Sequence, residues 1–462
     1  MKKALLFTAF SCVTLFSFAS HLRCGYITAQ KVSCVSLTYT ITITVFTNTN
    51  SDVKFGEDGI LNFGDGTSIV VPRVENTPHP GLGSNIGMAT YTVNHQYSGA
   101  GSYLVSYNEP NRNGGILNMT DSFYTPFYTE TFIDTDFCST LEFIPPPIFL
   151  GNALSDFNVS FGAVSQDDVQ MTYELVTPYR DRGTPVDGFI MPSGITLNYL
   201  TGLFNWNMSV SEFHSPGEYN FAVKAIQWTR EDDIWYREQY VRIDFQVLLN
   251  GDTPEDFFMH DNQLLDQYQR IAIAAAEAKT IKVFYEIDNQ YQPELELFSA
   301  LPEDAVSFTT YDSVSASSGK DIKVGKLMIS PGVDDIRSNG YVVTVRGSHV
   351  AGSGKVSSDL SYLVYTADEL PPLPNPIVTA TEDAITSVQV YPNPVNDFIQ
   401  IDVAGGGSST ALIYSAQGVL LESHRFESSA TIDARNLPAG VYICDVRRNN
   451  ASVKKIKIIK SK

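Results

Sequence analysis

The residues able to do chemistry are spread thinly along this chain. Seven histidines (His21, His79, His95, His214, His260, His349 and His424) show no HExxH spacing, so a helix-borne zinc protease centre is not indicated. No GxSxG nucleophile elbow occurs, and no cysteine lies in a protease-like setting. Carboxylates pair at Asp134/Asp136, Asp167/Asp168, Asp232/Asp233 and Asp334/Asp335. A glycosidase needs two carboxyls facing each other across a cleft, whereas sequence neighbours on a strand point to opposite faces. A loop cation suits such pairs better, because calcium gathers hard oxygen ligands from loops. Asp167 and Asp168 are the candidate calcium site, with solvated turn acids as the alternative. No other cofactor is expected. Trp228, Trp235 and Tyr236 flank the acidic turn Glu231-Asp232-Asp233; they read either as a sugar-stacking platform or as core aromatics.

Positioning these residues falls to strands. Thr, Ser, Val, Tyr and Gly crowd the sequence, and aromatics reach 12% with 24 Tyr and 27 Phe, a bias toward strands and turns over helices. At 462 residues the chain should hold about three to four domains. Net charge is −20, which argues against a nucleic-acid partner, because no basic face is available to neutralise phosphates. The charge is uneven. From Val388 onward nine Lys/Arg meet six acids, giving +3. The N-terminus reads as a secretory signal peptide over residues 1–19: Lys2-Lys3, an apolar run from Ala4 to Phe18, and small residues at Ser17 and Ala19, with cleavage after Ala19. Four cysteines remain after cleavage, Cys24, Cys34, Cys138 and Cys444. Cys24 and Cys34 are close enough to staple a hairpin in an exported chain; free thiols are the alternative.

In order, residues 20–150 read as one β-sandwich. Leu37 to Phe46 alternates apolar residues with Thr, a half-buried strand. Ile60-Leu61-Asn62-Phe63 runs into the turn Gly64-Asp65-Gly66. His95-Gln96-Tyr97 and Gly101-Ser102-Tyr103-Leu104-Val105 follow. Asn111-Arg112-Asn113 reads as a hydrogen-bonded turn, with a polar contact loop as the other reading. Residues 151–250 form a second sandwich, with Met171 to Val176, Gly202-Leu203-Phe204-Asn205-Trp206 and Gly217 to Ala225 as strands. Residues 251–370 are a third β-rich unit. There Ile271, Ile273 and Ala275, then Ile281, Val283 and Tyr285, alternate as a hairpin would, with a helix over Leu264 to Ala278 as the alternative. Pro371 to Ser387 is a Pro-rich linker. Residues 388–462 close the chain with about seven short strands. The fold class expected is all-β, a tandem of immunoglobulin-like sandwiches.

Several stretches resemble known families. Phe63-Gly64-Asp65-Gly66, His95-Gln96-Tyr97 and Gly101-Ser102-Tyr103-Leu104-Val105 resemble the PKD repeat of bacterial surface proteins, in which the His is structural. His21 to Ala29 and Asn108 to Met119 resemble N-terminal modules of Bacteroidetes-type surface proteins linked by name to gliding motility. Pro192 to Leu197, Thr201 to Trp206 and Gly217 to Phe221 resemble the Ig-type domains of cadherin-like bacterial proteins, with Ile195 in place of the usual Leu. Asp167-Asp168 sits where those proteins carry a richer acidic run. The last 75 residues strongly resemble the C-terminal sorting domain of the type IX (Por) secretion system, through Tyr391-Pro392-Asn393-Pro394, Asp397, Tyr414 with Gly418, Leu437 with Gly440 and Tyr442, and the Lys-rich end with Lys455.

That resemblance implies export to the periplasm and passage through the outer membrane, with the translocon and a sorting protease as partners. The cargo would then be anchored at the cell surface or released. The expected function is binding or adhesion there without catalysis, toward a glycan or protein ligand. A hydrolase with its site in 251–370, and a purely structural stalk, are the alternatives.

Overall fold

The computed structural model describes residues 22–461, apart from 251–257, 261–264, 373–387, 404–407 and shorter breaks. The signal segment with Ala19, most of the linker, and Gly418 lie outside the described residues. Strands dominate. Among the described residues the helical pieces are three single 310 turns, and no helix is long and apolar enough to cross a membrane.

The first strands obey their alternation. In Thr38–Asn48, Tyr39, Ile41, Ile43 and Val45 are buried, while the threonines between them face outward. This strand pairs with Leu22–Lys31 on one side and Ile86–Gln96 on the other. Their apolar faces enclose a core with Phe63, Tyr103 and Tyr107.

The boundary expected at residue 150 is not a break. Ile234–Asn250, a strand of 17 residues, pairs along one edge with Gly217–Glu231. Its other edge meets Phe127–Asp134 and Leu22–Lys31 of the first unit. One strand thus serves two sandwiches, because it is far longer than a single sandwich layer of about five or six residues per strand needs. The second core, around Phe157, Phe204, Trp206, Tyr219, Phe221 and Phe245, also takes in Cys24, Phe46 and Ile86 from the first unit. Residues 22–250 are therefore one interlocked body.

Cys34 bonds Cys138, 104 residues away, and Cys24 is a buried free thiol. The Cys24–Cys34 staple is thereby corrected. Cys24 points into the second core from a strand, while Cys34 lies in the exposed turn after it, beside the Cys138 loop.

The third unit is a sandwich of two four-stranded sheets. Ile271, Ile273, Ile281, Val283 and Tyr285 are all buried. They do not form a hairpin: Arg270–Ala272 runs parallel to Gly354–Tyr365 in one sheet, while Lys279–Ile287 pairs with Asp321–Ile329 in the other. Alternation told which residues face the core but not which strands pair. This unit is seated on the second through Asp359, which accepts from the Ser160 N–H at 2.9 Å and from Arg346 at 2.7 Å.

The C-terminal unit has seven strands in a three-stranded and a four-stranded sheet. Among the described residues these strands pair only with one another, and they enclose their own core around Val390, Ile399, Ile401, Ile413, Cys444 and Ile458.

Candidate functional site

The conspicuous polar residues of the first unit are structural. The His95 ring stacks on Phe63 at 3.9 Å and bonds the Asp65 carboxylate at 2.8 Å. Tyr97 donates to the Phe63 carbonyl and stacks on Tyr103 at 3.9 Å. Burial pushes the Asp65 carboxyl up, but hydrogen bonds from Thr67 and His95 outweigh it and hold it below its usual value. Asp167 has a positioning role too, since its carboxylate accepts from the backbone N–H groups of Cys138 and Ser139 at 3.0 to 3.1 Å. It holds the disulfide loop. Among the described residues no group of three or more His, Cys, Asp or Glu is placed to hold a metal ion. Trp228 is no platform: it is buried and donates to Thr172 at 2.7 Å. In the 251–370 unit, His349 is buried against Tyr285 and Tyr291.

The C-terminal unit is built around its first turn. Tyr391-Pro392-Asn393-Pro394 leaves the strand Val388–Tyr391 with both X–Pro bonds cis. The Asn393 side chain then clasps the last strand, donating to the Lys457 carbonyl and accepting from the Ile459 N–H, each at 2.8 Å. Val395 continues the clasp, with its N–H on the Ile459 carbonyl at 2.7 Å. Asp397 receives the Ala434 N–H on its backbone carbonyl at 2.7 Å. Leu437 packs on the core, and the Tyr442 hydroxyl donates to the Pro438 carbonyl at 2.6 Å, closing the turn before Gly440. Lys455 pairs in register with Asp445 on the neighbouring strand. The motif therefore ties the beginning of the unit to its end.

Residues 389–461 match the family described as the secretion system C-terminal sorting domain. This tail marks the chain as secretion cargo. Residues 388–462 are its sorting domain and residues 20–387 its cargo with the linker. The tail implies recognition by the type IX machinery, export, and a secreted or cell-surface location. No curated protein matches the chain. Among solved structures, the N-terminal eight Ig domains of Down Syndrome Cell Adhesion Molecule (DSCAM) isoform 1.30.30 are similar at 10% identity. That match covers 96% of this chain and 69% of that one, with a TM-score of 0.13. The all-β class rests on the strands themselves.

Where sorting domain meets cargo, a cavity of about 520 Å³ opens. Glu130 stands on the cargo side, accepting from the hydroxyls of Tyr128 and Tyr240 at 2.8 and 2.9 Å, with the Lys224 ammonium 3.8 Å away. Burial alone would raise the Glu130 carboxyl. Lys224, Arg242 and the two hydroxyls outweigh it and hold the group below its ordinary value. Burial brings Lys224 down to about 8. Arg182 and Arg237 also line the cavity, and Tyr391 and Asp402 close it from the sorting domain.

Sequence reading missed this group, and no local signal marks it. Glu130, Arg182, Lys224 and Tyr240 come from four separate strands or turns. Arg112 was half seen. Its guanidinium is fully buried, bonding both oxygens of Asp244 at 2.6 and 2.8 Å, and also Asn220 and the carbonyls of Pro126 and Tyr179. The loop expected as a hydrogen-bonded turn is a rivet between two sandwiches, and its Arg112 makes no outward contact surface. The signal available was an Arg between two Asn in a chain with few charges.

Proposed function

We propose that the chain is a non-catalytic binding or adhesion protein, carried through the periplasm and across the outer membrane by the type IX route. Its cargo works at the cell surface or after release. The sorting-domain match over residues 389–461 carries this reading. It is supported by the build of the cargo, an acidic run of sandwiches with loops at their ends, which is how recognition modules present variable surface on a rigid frame. The reading is also supported by Asp65, His95 and Asp167, whose side chains bond neighbouring side chains and backbone within the sandwiches. A groove of about 440 Å³ supplies one face for a ligand. It is floored by the outward threonines Thr28, Thr40, Thr42 and Thr44 and walled by Tyr26 and Phe143, whose rings lie 4.8 Å apart. Hydroxyls beside aromatic rings suit a glycan.

The test is a glycan and matrix-protein array probed with the full chain and with Tyr26→Ala. Binding that Tyr26→Ala weakens is expected. An array without any signal above background, together with turnover of a polysaccharide or peptide substrate, would sink the binding reading. Export is tested separately, by deleting residues 388–462: the cargo should accumulate in the cell, and its arrival at the surface would refute the route.

A further inference from the structure

The tyrosine of the sorting motif does not belong to the sorting domain's own core. Val388, Val390 and Val395 on either side of it pack into that core. Tyr391 is 1% exposed, yet it packs with Leu104, Phe132, Ile226, Trp228 and Tyr240, all residues of the cargo. Its ring meets Phe132 edge-on at 5.6 Å. The Arg182 guanidinium lies over its other side, 4.6 Å from the ring centre. Its hydroxyl donates to Asp402. Next to it the Asn393 N–H reaches the Ser102 carbonyl at 3.4 Å. Two cargo glycines let the backbone come this close. A Cβ on Gly101 would run into the Asn393 carbonyl and the Pro394 ring, and one on Gly99 would press on Pro394.

We infer that the cargo carries a receptor site for its own sorting domain: an aromatic recess of Leu104, Phe132 and Tyr240, rimmed by Arg182, that takes Tyr391 as a plug. The recess fits an aromatic side chain followed by a flat, proline-flanked backbone, which is the chemistry of Tyr391 to Pro394. Electrostatics favour the pairing as well. The sorting domain is +3, and the cargo of residues 20–387 carries −25. The tether matters too. A short linker gives a local concentration on the order of millimolar, so a site with a Kd of about 0.1 mM would be about nine-tenths filled. A consequence follows for export. Machinery that reads Tyr391 must first displace Phe132 and Arg182 from its ring, and cargo stripped of the tail presents a bare aromatic recess beside the Glu130–Lys224 cavity.

The full chain with a protease site placed between residues 375 and 387 tests this. After cutting, cargo and sorting domain should co-elute when loaded at about 1 mM, roughly ten times that Kd, where about three-quarters of the pieces would be paired. Gly101→Val should separate them, weakening the complex roughly tenfold or more. The glycine's φ is an ordinary one for any residue, and the atoms nearest its Cβ belong to the sorting domain. Arg182→Ala, in an exposed hairpin turn, should weaken it about threefold by removing the cation–π contact. In the uncut chain, nitration of Tyr391 should run at least roughly tenfold faster in Gly101→Val, as expected if docking were the main shield. Wild-type pieces that elute apart, or Tyr391 nitrated equally fast in both chains, would overturn the proposal. So would an uncut dimer that Gly101→Val dissociates, since the contact would then be between copies.

Discussion

The joints inside the cargo and the joint to the sorting domain are made by opposite means. Within the cargo, the first two sandwiches share a strand and the buried Arg112–Asp244 pair, and the third is seated on the second through the Ser160 N–H on Asp359, which also holds Arg346. Arg112 with Asp244 and Arg346 with Asp359 are each no more than 2% exposed. Such pairs are costly to form and costlier to break, because removing one partner leaves a buried charge unmatched. Among the described residues the sorting domain contributes no strand to any cargo sheet. It has its own core, and among the described residues it meets the cargo through the Tyr391 plug, backbone contacts at Asn393 and the walls of the shared cavity. The sandwiches of the cargo are joined through shared sheet and buried charge, while the sorting domain is joined through side-chain and backbone contacts at one face.

Breaking a cargo joint should therefore have the largest effect. Arg112→Ala strands Asp244 and strips five hydrogen bonds, and should cost about 3–5 kcal/mol in the urea unfolding of the first two sandwiches, which should melt as a single transition. If Arg112→Ala instead split that transition in two with little total loss, the sandwiches would be independent after all. Opening the Cys34–Cys138 bond comes next. It closes a loop of 104 residues, and Cys34→Ser with Cys138→Ser should lower stability by about 2–4 kcal/mol. A reductant should reproduce the loss in the wild-type chain and do nothing to the double variant.

How much of this could be read from the sequence divides along the same line. The sorting domain was legible residue by residue, because its motif acts locally: Asn393 and Val395 clasp a strand that any such tail must end with. The Phe63–Asp65–His95–Tyr97 cluster was legible for the same reason, as turn chemistry joined to two alternating strands. Alternation also told inside from outside, as in Tyr39, Ile41, Ile43 and Val45. It failed where one strand is shared between two sandwiches. Nothing in Ile234 to Asn250 announces that Phe245 sits opposite Cys24, so the boundary at 150 and the Cys24–Cys34 staple were misplaced together. The Glu130 cluster was invisible and the Arg112 cluster only half visible because key partners lie 110 and 132 residues apart, brought together by the register of the shared sheet.

A smaller effect should appear with acid in the third sandwich. Burial lowers His349 to about 4. The folded state thus holds the neutral ring, and the unfolded chain takes up a proton near pH 6.5. Stability from this group is complete above about pH 6.5 and drains away as pH falls toward 4. The melting temperature of that sandwich should fall across this window, and His349→Gln should flatten the slope. An unchanged slope would place the acid sensitivity elsewhere.

The smallest effect should come from the joint to the sorting domain itself. Cutting within residues 375–387 breaks none of the strand pairings described for the cargo and uncovers only the small Leu104–Phe132–Tyr240 cluster, so the cargo's melting midpoint should stay within about 1 °C, less than the shift a 1 kcal/mol loss gives in a domain of this size. The sorting domain, released, loses the burial of Tyr391 but keeps Val390, Ile399, Ile413 and Ile458. Its own midpoint should move more than the cargo's, because one aromatic contact is a larger share of a small core. A cargo that loses several degrees on cutting would mean that the tail props up the body it delivers, and the contrast between fixed and detachable joints would fail at the point where it is most exposed to test.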